Sequence, residues 1–148
     1  MDEKYFKLLE DEQELKKTGE YLSLEKAKEL IKYEIQILDH LRWHQKNNFI
    51  EAMVDFLQDK IDIHKYINRF YKINYQINES NRKLKSDFEK LRAFESDPHS
   101  KGSSMLIENV LSDIQILELD DELRTEDEIS KESLIDGIKE FLPKIQEY

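Results

Sequence analysis

The chain has 148 residues, of which 38 % are charged and 39 % apolar, with three glycines, two prolines and no cysteine. Its length suits one domain around one core, and the absence of cysteine excludes disulfides and thiol chemistry. The formal net charge is −10. Residues 97–148 hold 14 acids against 5 bases, so most of the excess lies in the last third, which repels nucleic acid and membrane phosphates and favours a basic partner. So few turn formers argue against an all-β fold, and abundant Leu, Ile, Glu and Lys argue for helices. The start of the chain, MDEKYFKLLEDEQELKK, is charged throughout, without the apolar core of a secretory signal. No apolar run approaches the roughly 20 residues of a membrane span. A cytoplasmic location is expected.

In chain order, residues 3–17 read as a short helix with Tyr5, Leu8, Leu9, Glu12 and Leu15 on one side, ended by Thr18-Gly19. With so few apolar residues it is expected to be loosely attached. Residues 1–22 thus form an N-terminal extension, and 23–148 a helical bundle. Ser23 caps a helix over about 24–46, with Leu24, Ala27, Leu30, Ile31, Ile35, Leu38 and Leu41 at helical spacing. Asn48 and Glu51 fit a capping box for the next helix, with Phe49, Ala52, Met53, Phe56 and Leu57 inward. Asp62 caps a helix carrying Ile63, Tyr66, Ile67, Phe70, Ile73 and Ile77. Leu84, Phe88, Leu91 and Phe94 resume the period after a polar stretch, as one bent helix or two.

DPHSKGSS, residues 97–104, reads as a loop. Ser103 or Ser104 then starts a helix with Leu106, Ile107, Val110, Leu111 and Ile114 as its apolar stripe. Ser130 caps the last helix, with Leu134, Ile135, Ile138, Phe141, Leu142 and Ile145 inward and Pro143 set to kink or end it. The fold expected is an all-α, single-domain antiparallel helical bundle of five or six helices.

Chemistry-bearing patterns are sparse. His40 and His44 share a helix face at i, i+4, a spacing able to hold zinc, but no third ligand accompanies them, and they read as two polar-face histidines. His64 and His99 stand alone. Residues 64–85 interleave aromatics with Lys, Arg and Asn, as single-strand binders do. Tyr66, Phe70 and Ile73 nonetheless keep helical spacing, which suits a core face with a basic outer face. The three glycines are too far apart for a phosphate loop, and no nucleophile motif occurs. No enzyme activity, metal or cofactor is expected.

The feature left over is ELDDELRTEDEIS, residues 118–130, with seven acids in the eleven positions from Glu118 to Glu128 and one base, Arg124. Such a run reads either as a solvated loop or as a surface for something basic. Leu119, Leu123 and Ile129 punctuate it and are expected to pin it to the core, which would hold its carboxylates at fixed positions.

Two segments resemble a known family. FIEAMVDFLQDKIDIHKYINRFYKINYQINE, residues 49–79, is similar to the opening of colicin D-type self-protective immunity proteins: an apolar helix, the polar turn 58–62, then a helix with Tyr66, Phe70 and Tyr71. MLIENVLSDIQILELDDELRTEDEISKESLIDGIKEFL, residues 105–142, resembles that family's helix, acidic connection and following helix through Asp113, Asp121, Leu123, Arg124, Glu126, Asp127, Ile129, Glu132 and Leu134. The resemblance spans about 49–148. It implies a non-enzymatic helical bundle that covers the basic active site of a cognate nuclease toxin of the tRNA-cutting type, its acids standing in for substrate phosphates. Partner-binding residues would be Asp113, Glu118, Asp120, Asp121, Glu122, Glu126 and Asp127. Of these, Asp120 and Asp121 are foremost, with Arg124 bridging carboxylates to hold the loop. No direct nucleic-acid or membrane contact is implied. The competing reading is a helical adaptor or regulatory subunit of an intracellular complex, using residues 1–48. Oligomeric state stays open.

Overall fold

The computed structural model describes all 148 residues. Seven helices follow in order: α1 (Glu3–Lys17), α2 (Leu24–His44), α3 (Lys46–Leu57), α4 (Ile63–Lys85), α5 (Phe88–Arg92), α6 (Ser100–Gln115) and α7 (Lys131–Gln146). There is no strand, only an isolated bridge between Leu117 and Ile129. The fold is all-helical, with seven helices where five or six were expected. The polar stretch after Asn78 stays helical to Lys85, and Asp87 then caps a separate short helix by accepting from the Lys90 amide at 3.2 Å. No helix is long and apolar enough to cross a membrane.

Local signals set most boundaries. Ser23, Asp62 and Ser130 each accept a backbone N–H three residues on, at 3.3, 2.8 and 3.2 Å, satisfying donors that a helix start leaves open. Gly19 takes the left-handed conformation after α1, at φ 72°. Three boundary expectations change. Asn48 is not a cap: α3 begins at Lys46, one residue beyond a break at Gln45, and has no side-chain cap. Residues 100–104 belong to α6, not to a loop, because Ser100, Ser103 and Ser104 are buried against neighbouring helices. Pro143 does not stop α7, which continues to Gln146.

Two apolar clusters hold the chain. The larger draws only on α3, α4, α6 and α7, with Phe49, Phe56, Tyr66, Phe70, Ile107, Leu134, Ile138 and Ile145 among its buried members. Arg69 on α4 reinforces it by pairing with Asp55 on α3 at 2.7 Å. The smaller cluster joins Tyr5, Phe6 and Leu8 of α1 to Leu30 and Ile37 of α2 and Leu91 of α5, and Leu41 packs against both. Helix α1 is therefore not loosely attached. Tyr5 is fully buried, and fully burying a large apolar side chain contributes about 1.5–3 kcal/mol. On α2, Ile37 turns inward, whereas Leu24, Ile31 and Ile35 are at least half exposed.

Candidate protein-binding surface

The acidic segment is a loop pinched at its base. The Glu118 amide donates to the Ile129 carbonyl at 3.0 Å, and the Ile129 amide to the Ile116 carbonyl at 2.9 Å. Leu117 and Ile129 pack against the larger core from either side of this bridge. Between them the chain turns on itself. The amides of Leu123 and Arg124 both donate to the Asp120 carbonyl at 3.1 Å.

Side chains fix the turn further. Asp120 Oδ1 accepts the Glu122 amide at 2.9 Å, and Glu118 Oε1 accepts the Asp120 amide at 3.0 Å. Glu128 Oε1 accepts both the amide and the hydroxyl of Thr125. These are local carboxylate-to-backbone turns, in which Asp and Glu replace absent backbone partners. Arg124 closes the loop across its width, donating from Nε and Nη2 to the Glu118 carbonyl at 3.1 and 2.9 Å while pairing with Asp121 at 2.8 Å. It ties one carboxylate and one carbonyl, where the sequence suggested carboxylates alone. Leu119 and Leu123, expected to anchor the loop, are instead exposed at 42 % and 67 %. A backbone bridge and an arginine do that work.

The seven candidate residues divide into three groups. Glu122, Glu126 and Asp127 are exposed, and their carboxylates make no hydrogen bond or ion pair within the chain. Glu118, Asp120 and Asp121 each commit one oxygen to holding the loop. Asp113 lies apart, on α6 and half-buried beside Gly137 of α7. Burial raises its pKa, the Glu140 charge raises it further, and no ion pair compensates. Its charge in turn adds to the burial that pushes up the phenol of Tyr66, whose buried hydroxyl has no hydrogen-bond partner. Asp113 belongs to the helix interface rather than to the loop.

Two further polar groupings occur. Asp39 and Arg42 on α2, both over nine-tenths buried, face Ser104 on α6. Sequence reading missed them because a charged i, i+3 pair is ordinarily solvent-facing. The two serines one turn before Glu108 were the available signal. Burial raises the pKa of Asp39, opposed by its Ser104 hydrogen bond and by Arg42. His40 and His44 do meet, Nε2 to Nε2 at 2.8 Å, and no cluster of three or more potential metal-ligating side chains forms anywhere in the chain. Tyr66, Phe70 and Ile73 lie in the core, while Tyr71 and Tyr75 face outward.

No protein-family model matches this chain, and neither does any curated protein or solved structure.

Proposed function

We propose that this chain is an immunity-type inhibitor that binds and neutralises a basic, tRNA-cutting nuclease domain by laying the loop 117–129 over its cationic cleft. It acts stoichiometrically in the cytoplasm, without catalysis of its own, from an antiparallel bundle. The observation that carries the reading is the fixed geometry of the loop. Glu122, Glu126 and Asp127 project unpaired carboxylates from a turn held by the Leu117–Ile129 bridge and Arg124. Preorganised anions lose little freedom on binding, and they meet lysines and arginines through charge-assisted hydrogen bonds. A loop with this much like charge also speeds encounter with a basic partner. The resemblance over residues 49–148 supplies the partner class.

The test is coexpression with a basic, tRNA-cutting nuclease domain, sought first in the reading frame beside this chain. The wild type should protect cells and form a one-to-one complex that weakens as salt rises. Glu122→Gln, Glu126→Gln and Asp127→Asn together should weaken the complex by roughly 100-fold or more, with the thermal midpoint unchanged. These positions suit the test better than Asp120 and Asp121, whose carboxylates hold the loop. A triple variant that still protects fully would remove the loop from the function.

A second reading, a helical adaptor, is favoured by a different observation. Tyr21, in the connection between α1 and α2, and Leu24, Ile31 and Ile35 on α2 are exposed at 89, 73, 51 and 50 %. Exposed apolar groups of this kind mark protein contacts. Deleting residues 1–22 would remove part of the smaller core, so surface substitutions discriminate better. If Ile31→Ser with Ile35→Ser abolishes partner binding while the loop variant retains it, the adaptor reading stands instead.

A further inference from the structure

Helices α2, α4 and α5 flank an open surface cleft of about 370 Å³ that shares no residue with the acidic loop. His40, His44, Lys83 and Lys90 line it, Leu84 and Phe94 are among its apolar walls, and no carboxylate belongs to its lining. The two lysines belong to the basic middle of a chain whose negative excess lies in its last third. Lys83 makes no ion pair, and Lys90 has only Asp87, at 3.9 Å. Of the acids flanking the lining residues in sequence, Glu79 pairs with Arg82 at 2.5 Å, Asp97 is taken by His99 at 3.0 Å, and Glu95 follows Phe94.

The histidine pair has a defined proton arrangement. His40 Nδ1 accepts the Asp97 amide at 3.2 Å, so the neutral His40 ring carries its proton on Nε2. That proton is then donated to His44 Nε2, 2.8 Å away. A metal ion at this spot would have to displace the proton, so the pair is arranged against metal binding and not for it. Burial and the neighbouring His44 charge both lower the pKa of His40, and Asp97 opposes them. His44 is the exposed ring of the pair and the one that can reach a ligand.

We propose that this cleft binds a small organic phosphate, with the dianion held by Lys83, Lys90 and the exposed His44 ring and the organic body seated against Leu84 and Phe94. Two lysines match the two charges of a phosphomonoester, and ammonium groups are effective phosphate partners. The volume suits a single ring, and mixed apolar and polar walls are usual for such sites.

The experiment titrates the full chain with phenyl phosphate at low ionic strength while recording the imidazole NMR signals. His40 and His44 should shift saturably, with His64 and His99 as internal controls. Inorganic phosphate should bind roughly tenfold more weakly, for want of the apolar contact. Lys83→Gln with Lys90→Gln, both exposed, should weaken phenyl phosphate roughly tenfold or more with folding unchanged. Absence of a saturable shift by about 10 mM, or equal binding by the double variant, overturns the site. Benzoate binding as tightly as phenyl phosphate overturns the phosphate assignment.

Discussion

Arg42 on α2 reaches across to α6, where its Nη1 donates to Ser104 Oγ at 3.0 Å and to Glu108 Oε1 at 2.7 Å. The arginine is only 7 % exposed, so it is a desolvated charge whose partners must stay in place. Asp39, also buried, gains support from the same arginine and serine.

Removing Arg42 would leave Asp39 buried without its cation and Ser104 without its donor. Breaking one side of a buried pair costs about 3–5 kcal/mol, and the half-exposed Glu108 places this case near the lower end. Arg42→Ala should therefore lower stability by about 3 kcal/mol in urea unfolding. Arg42→Lys keeps the charge but loses the forked donor geometry, and should lie between that variant and the wild type. A loss below about 1 kcal/mol for Arg42→Ala would mean that the α2–α6 contact does not depend on this network.

Asp113 gives a pH-dependent prediction. Its folded pKa lies above the ordinary 3.8, chiefly through burial and then through Glu140. A group shifted upward stabilises the fold fully below its unfolded pKa, and that contribution is lost as pH rises through the folded value. At about neutral pH the ionised carboxylate is therefore in an unfavourable place, and Asp113→Asn should raise the thermal midpoint. Near about pH 3 the gain should vanish, because the wild-type carboxyl is then protonated too. Partner binding should be unaffected, since Asp113 stands outside the loop.

What was legible in the sequence follows from where the information resides. Ser23, Asp62 and Ser130 were readable because a cap is a local contract between one side chain and an amide three residues on. The stripes of α3, α6 and α7 were readable because each of these helices buries one face in one core. Helix α2 was legible at its cap and at Leu30, Leu38 and Leu41 but not around its other faces, because it packs on α1, α4 and α6 at once. Its Ile37 is buried, its Leu24 and Ile35 are exposed, and its Asp39 and Arg42 lie inside. Periodicity gives a face but cannot choose between adjacent ones. The start of α6 was hidden for a related reason. Serines that look like loop residues are the small side chains that fit beneath α2, where Ser104 accepts from Arg42. In the acidic loop, the charge was plain, but the role of Arg124 as clamp on the Glu118 carbonyl required the folded backbone.

Arg124 is therefore the second position where the loop can be tested apart from its charge. Arg124→Ala removes both donations to Glu118 and the pair with Asp121, but leaves every unpaired carboxylate in place. It makes the loop more negative and less ordered. If preorganisation matters, affinity should fall despite the added negative charge, and amides of residues 120–124 should exchange faster with solvent. Global stability should drop by no more than about 1.5–3 kcal/mol, the range for hydrogen bonds involving a charged group. Tighter binding by Arg124→Ala would show that net charge alone sets affinity.

The last prediction concerns α1. Phe6 is 5 % exposed, its ring stands 6.0 Å from Phe88 in an edge-on arrangement, and the Arg92 guanidinium lies 4.4 Å above it. Tyr5 beside it is fully buried, with burial raising its phenol to about 12. Truncating a large buried aromatic costs about 3–5 kcal/mol through lost transfer energy and the cavity left behind. Phe6→Ala should cost about that much if both clusters unfold together. If instead α1 and α5 open separately, amides there should lose protection while those of α3, α4, α6 and α7 keep theirs. Hydrogen exchange on this one variant thus distinguishes a cooperative fold, joined through Leu41, from a four-helix core carrying a separable cap.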